Sequence, residues 1–277
     1  MSFGLKLNLR LGIESQRNVV WTPAELTGLA LWLDADDAST ITLGGGGGPG
    51  PGGSGHVSQW DDKSGNNRNA SQSTASLQPT YSPTGFNGKP TLETDGGDIL
   101  ELGTTSLGRN VSGITCAIVG VHPLGATFTS NTNELYMSTG TSLTNTRFAF
   151  TPNPSASITN RYAIAGRRSD GDSYQTVSSS TASLTNRGNQ WIQVAQAAYS
   201  DGVANHWTDG TQDLTSEPFQ AAGVTSDTDS LRTSIFDGVT PLPSGSQLCE
   251  IVLTHSTMTT DDRQKLEGYL AWKWGGI

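Results

Sequence analysis

Basic residues are scarce in this chain. Lysine and arginine number 16 against 25 acidic residues, which leaves a net charge of −9. Phosphate binding needs a basic face, so nucleic acid is excluded as a partner. The same deficit argues against an anionic membrane surface. No apolar run approaches the ~20 residues that span a bilayer. The N-terminus lacks the charged-then-apolar pattern of a secretory signal, because Lys6 and Arg10 sit between leucines. A chain made in the cytoplasm without classical export is the expectation. Cysteine is nearly absent: Cys116 and Cys249 each lie in an apolar run. Two buried thiols are the favoured reading and a disulfide the alternative.

Charged residues make up only 15% of the chain and hydrophobic ones 34%; glycine, serine, threonine and asparagine fill the difference. Helical proteins need more leucine, alanine, glutamate and lysine. What is there instead is a long series of short apolar runs separated by turn residues. Candidate strands are Leu29–Leu33, Val57–Trp60, Pro90–Thr94, Ile99–Leu102, Ile114–Val121, Glu134–Met137 and Arg147–Phe150. Tyr162–Ala165, Tyr174–Val177, Trp191–Tyr199, Ala204–Thr208, Ser230–Phe236 and Gln247–Thr254 follow. Asp209-Gly210 and Asp237-Gly238 are hairpin-type turn dipeptides. Strands at this spacing without intervening helices predict an all-β, antiparallel two-sheet sandwich.

Helical signals occur at two places. Thr22-Pro23-Ala24-Glu25 has the capping-box pattern, with Gly28 as its stop. Near the end, Thr259 or Thr260 caps a helix whose first turn carries Asp261 and Asp262 and whose stop is Gly275. Leu266, Tyr269 and Leu270 are expected to pack on the sandwich, with Trp272 and Trp274 at the seam.

Two segments stand apart. Residues 44–55 are almost all glycine and proline and predict a flexible loop. In residues 1–20, Phe3, Leu5, Leu7, Leu9, Leu11 and Ile13 alternate with polar residues or glycine over eleven positions. Period two puts all six on one strand face, which water alone does not support. Either this is the first strand of the domain's own sheet, or it is an arm added to the sheet edge of a neighbouring subunit.

Three segments resemble the laminin-G-like jelly-roll branch of the concanavalin-A-like lectin/glucanase superfamily. The first is Leu29-Ala30-Leu31-Trp32-Leu33-Asp34-Ala35-Asp36 with Val57–Asn66, which contains Asp62-Lys63-Ser64-Gly65. The second is Asn87–Gly96. The third is Glu250–Leu253 with Asp262–Gly275, which contains Glu267-Gly268-Tyr269-Leu270-Ala271-Trp272-Lys273-Trp274. The likeness covers residues 21–277 and implies a concanavalin-A-like jelly roll with a C-terminal α-helix. Copies of this type are frequent in bacteriophage virion proteins, so the resemblance implies a capsid-decorating or fibre-like surface subunit. Its partners would be other virion proteins and copies of itself, with host glycans as ligands of an alternative adhesion role.

The superfamily includes glycoside hydrolases, which place two carboxylates about 5–9.5 Å apart across the scissile bond. A Glu-x-Asp-x-Glu strand would supply them, and none occurs; Glu93 and Asp95 are spaced by two but read as a strand end and a turn. His56, His122, His206 and His255 lack paired spacing for zinc or for a nucleophile relay. There is no nucleophile elbow and no phosphate loop. The expectation is a non-enzyme without cofactor. Calcium is the one metal the acids suggest, through Asp34, Asp36 and Asp95 in loops that equally serve as turn formers. Trp60, Tyr81 and Trp207 are the candidates for a sugar-stacking platform, against a plain core role for each.

Overall fold

The computed structural model describes residues 21–44, 48, 54–105, 107–123, 128, 135–138, 146–152, 161–169, 171–179, 191–226, 231–236 and 242–275. The arm Phe3 to Ile13 and most of the glycine loop lie outside these described residues.

The first half of the chain supplies β1 (Leu29–Asp34), β2 (Ile41–Leu43), β3 (Gly55–Trp60), β4 (Ala70–Ser71), β5 (Thr80–Phe86), β6 (Lys89–Glu93), β7 (Leu100–Thr105) and β8 (Ile114–Val121). Then come β9 (Leu135–Ser138), β10 (Thr146–Thr151), β11 (Ala163–Gly166), β12 (Gln175–Ser178) and β13 (Trp191–Ala198). The last strands are β14 (Val203–Thr208), β15 (Thr211–Pro218), β16 (Leu231–Ile235) and β17 (Gln247–Thr254), before helix α1 (Thr260–Trp274).

All pairings are antiparallel. One sheet runs β15-β14-β13-β8-β17-β1, and β6 with β5 continues it at the start of β17. The other runs β12-β11-β10-β9-β16-β7-β4-β3-β2. At one corner Gly55 and His56 of β3 pair with β5 and join the two sheets.

Period-two alternation sets the layers. Ile114, Cys116 and Ile118 of β8 point between the sheets, where Leu31, Leu33, Trp60, Phe148, Phe150, Ile251 and Leu253 meet them. Ala117 and Val119 point the other way, into a second core that α1 covers with Leu266, Leu270 and Trp274. The molecule is thus sheet, sheet and helix. Cys116 and Cys249 are buried in different cores and are not disulfide-bonded to each other, so the buried-thiol reading holds.

The helix follows its sequence signals. The Thr259 hydroxyl accepts from the Asp262 N–H at 3.1 Å, and Gly275 closes the helix at φ 69°. The capping-box segment forms a 3-10 turn over Pro23–Glu25 that ends at Leu26, two residues before the expected stop at Gly28, which turns the chain at φ 73°. One expectation is corrected. Trp272 and Trp274 do not share the seam: Trp274 is fully buried while Trp272 is 71% exposed. Two positions on a helix are about 200° apart, so neighbours of this spacing face opposite ways.

Four strands went unread in the sequence. β2 and β4 are three and two residues long. β5 contains Pro83 and Gly85 and breaks register between Ser82 and Phe86. β15 buries only Leu214 and lies at a sheet edge, so it shows no apolar alternation.

Candidate functional site

The segments of the family-like pattern converge on one place, the outer face of the first sheet under the end of α1. Strand β17 carries a bulge between Leu248 and Glu250, with Cys249 as the extra residue opposite β8. The bulge puts Cys249 and Glu250 on the helix side in succession. Glu250 is then the cross-strand partner of Asp34 in β1.

Glu250 is completely buried and accepts from four donors. Trp32 Nε1 lies 2.7 Å away and Trp274 Nε1 2.8 Å; Lys273 Nζ is at 2.9 Å and the Tyr269 hydroxyl at 3.2 Å. Lys273 Nζ also donates to Asp34 Oδ1, and Lys63 Nζ reaches Asp34 Oδ2 at 2.8 Å. Burial and the adjacent Asp34 push the Glu250 carboxyl above its ordinary range, against the pull of Lys273 and the Trp274 indole. Burial and Glu250 likewise raise the Tyr269 phenol. Against the cost of burial, Asp34 and Asp37 hold Lys63 above its usual value.

The segment Asp61–Asn69 closes the open side of β1. Asp62 Oδ1 accepts from the Trp32 N–H at 3.0 Å, and the Lys63 N–H donates to the Trp32 carbonyl at 2.8 Å. Asn66 Nδ2 donates to the Leu29 carbonyl at 3.1 Å and Arg68 to the Ala30 carbonyl. β1 pairs with β17 on one side only, so this loop occupies backbone groups that would otherwise form an exposed edge. The Asn87 amide donates to the Trp274 carbonyl at 2.7 Å and ties the β5–β6 hairpin to the helix end.

Beside this cluster lies a cleft of about 750 Å³, lined by Asp34, Asp36, Asp37, Ser39, Lys89, Tyr269, Trp272 and Lys273. Lys89 Nζ bonds Asp36 at 2.8 Å and Lys63 Nζ bonds Asp37 at 2.8 Å. Asp37 also accepts from the Ser39 hydroxyl at 2.5 Å. Burial opposes ionisation of Asp37, but the hydrogen bonds and charge from Lys63 and Ser39 together outweigh it and hold its carboxyl below the usual range. Four carboxylates and three lysines make up the cluster, so its charges nearly cancel. Trp272 stands at the rim.

The candidates from sequence fall differently. Trp60 and Tyr81 are buried in the core between the sheets, and Trp207 is buried under α1 with the Arg263 guanidinium 4.5 Å from its ring centre. The expectation of a sugar platform from these rings is corrected, because they are buried in two separate cores and form no common exposed surface. Asp34 and Asp36 do meet, but lysines occupy both carboxylates. Asp95 lies instead in a cleft of about 270 Å³ with Tyr81 and Glu93, its Oδ1 accepting from the Gly97 N–H at 2.9 Å. The three acids therefore do not form one calcium site. Among the described residues, no group of three or more His, Cys, Asp and Glu is placed to hold a metal.

Comparison with known proteins agrees with this architecture. No family model matches the chain, and no curated protein sequence matches it. Solved structures do. Domain 4 of a GH43 extracellular arabinanase from Geobacillus stearothermophilus aligns over 86% of this chain and 97% of its own, at TM-score 0.55 and 10% identity. The chain shares the antiparallel jelly-roll β-sandwich fold of these structures. A Trypanosoma rangeli sialidase matches over 88% of this chain at TM-score 0.55 and 14% identity, but the jelly roll spans only 33% of that enzyme. A botulinum neurotoxin type C structure matches over 88% at TM-score 0.52 and 13% identity, covering 51% of its own chain. At these identities the likeness is one of fold.

Sequence reasoning missed the two residues that define this site. Trp272 was detectable from helical phase: with Leu266, Leu270 and Trp274 inward, position 272 faces out. Glu250 was not, because a bulge decides its direction.

Proposed function

We propose that this chain is a non-catalytic carbohydrate-recognition module, and that its ligand lies against Trp272 in the cleft beside α1. The observation that carries the reading is an indole 71% exposed at the rim of a polar cleft. An exposed indole of this kind stacks on the apolar face of a sugar ring. Asp36, Ser39 and Lys89 supply the donors and acceptors that orient hydroxyls. Two fold relatives support it by analogy: the arabinanase domain was solved with arabinotriose, and the neurotoxin's cell entry depends on two ganglioside molecules. The test is a glycan array with wild type and Trp272→Ala. Binding that survives the loss of the indole, or silence of wild type across all glycans, refutes the reading.

A surface position on a bacteriophage virion is the accompanying proposal. It rests on the alternation of Phe3, Leu5, Leu7, Leu9, Leu11 and Ile13 together with the resemblance above. In this reading the arm adds to a neighbouring subunit by main-chain pairing and burial of its apolar face, while the sandwich faces solvent. Deleting residues 2–13 is expected to abolish self-assembly or attachment and leave the sandwich folded. A truncated chain that still assembles sinks it.

A further inference from the structure

The buried Lys273 contacts both Asp34 and Glu250, which are paired across β1 and β17. Lys273 Nζ lies against Asp34 Oδ1 and 2.9 Å from Glu250 Oε2. Side-chain exposures are 8%, 5% and 0% respectively. Trp32, Trp274 and Tyr269 wall the group, each with its polar atom on Glu250. An amine, a carboxyl carbon and a proton carrier held together away from bulk water are the requirements for amide formation.

We propose that Lys273 and Asp34 form an intramolecular isopeptide bond, with Glu250 as the proton carrier. The Lys273 ammonium passes a proton through Glu250 to the Asp34 carboxylate, which leaves a neutral amine facing a neutral acid. The Nζ lone pair attacks Cγ of Asp34 and a C–N bond forms. Asp34 Oδ2 stays as the amide oxygen; the negative charge that develops on it is met by Lys63 Nζ, 2.8 Å away. Glu250 carries the second proton from nitrogen to Oδ1, the C–Oδ1 bond breaks, and Oδ1 leaves as water. Ammonium and carboxylate become amide and one water; charge balances and Glu250 is regenerated. Burial and the adjacent Asp34 raise the Glu250 carboxyl, which makes it a better proton acceptor for this relay. Asp34 and Lys273 line the adjoining cleft, which gives the water an exit.

The bond would join strand β1 to the end of α1 across 239 positions and lock the helix to the sheet. Its chemistry is independent of any glycan. The same atoms could hold as an ordinary ion cluster, and the two states differ by one water.

Intact-mass measurement of the folded, full-length protein decides between them. The expected mass is lower than the sequence mass by one water. Tryptic digestion should give a branched peptide joining the segment that holds Asp34 to the segment that holds Lys273. Lys273→Arg keeps a cation but no attacking amine and should show full mass; Glu250→Gln should remove or greatly slow the water loss. Full mass in folded wild type overturns the proposal and needs no variant to do so. A missing water that maps to an Asp-Gly pair such as Asp209-Gly210, as a cyclic imide would, also overturns it. Cross-linking in Glu250→Gln at the wild-type rate removes Glu250 from the mechanism.

Discussion

Replacing His255 by glutamine should remove a specific part of the protein's acid sensitivity. His255 follows β17, and its Nε2 accepts a hydrogen bond from the Gly108 N–H at 3.2 Å. That acceptor exists only in the neutral ring. Burial, with the Arg68 guanidinium nearby, pushes the imidazole down to about 4 from an ordinary 6.5. Below pH 6.5 the unfolded chain therefore takes up a proton that the folded chain refuses until about pH 4. The stabilising contribution is complete above pH 6.5 and is lost as pH falls through this window. The gap corresponds to a ceiling of about 3 kcal/mol at ~1.4 kcal/mol per pH unit. Partial contact of the ring with solvent brings it to about 2 kcal/mol. Glutamine places an amide oxygen near the former Nε2 and does not titrate. Urea unfolding of both proteins from pH 7.5 to pH 4.5 is the assay. Near pH 7.5 they should agree within about 1 kcal/mol. At pH 4.5 wild type should have lost about 2 kcal/mol more than the variant. Asp98, Glu250 and Glu267 are raised by burial and act in the opposite sense, but equally in both proteins. Parallel curves across the window would refute the placement of His255 as a buried neutral acceptor.

Two further substitutions probe the frame. Gly202 turns the chain between β13 and β14 at φ 72°, and a Cβ there would lie 2.4 Å from the Gln220 carbonyl oxygen. Gly202→Ala combines left-handed strain with a backbone clash and should cost about 2–4 kcal/mol, read as a fall in the urea midpoint; an unchanged midpoint refutes the packing of that turn. Thr259→Ala removes the cap of α1 and should cost about 1 kcal/mol, while Thr259→Ser should restore most of it; equal stabilities of the two variants would show that the hydroxyl is not the cap.

Most of the sandwich was legible because burial on both sides of a strand leaves its mark on every residue. β8 and β17 read as apolar runs since one face meets the second sheet and the other meets the helix. The ends of α1 were legible because a threonine cap and a left-handed glycine are local requirements. β15 was illegible for the converse reason: an edge strand with one buried residue obeys no pattern. The aromatic candidates failed on a different point. Composition gives the rings but not their exposure, so Trp60 and Trp207 could be told from Trp272 only through the phase of the elements that carry them.

The family-like motifs also explain where a variable site can sit. Asp34, Lys63, Glu250 and Lys273 come from three distant stretches and satisfy one another almost completely. Removing Lys273 leaves the buried Glu250 without its cation, a change that typically costs about 3–5 kcal/mol. These residues are therefore committed to holding the helix on the sheet. Trp272 and Lys89 border the same cleft outside these four residues. Trp272 is exposed, and Lys89 makes its ion pair with Asp36 at the surface. Changes at these positions leave the anchor intact, since exposed pairs contribute little to stability. A rigid anchor beside an exposed rim is the arrangement in which ligand preference can change while the fold does not, and under the proposed carbohydrate recognition the specificity would lie on the outward face of α1.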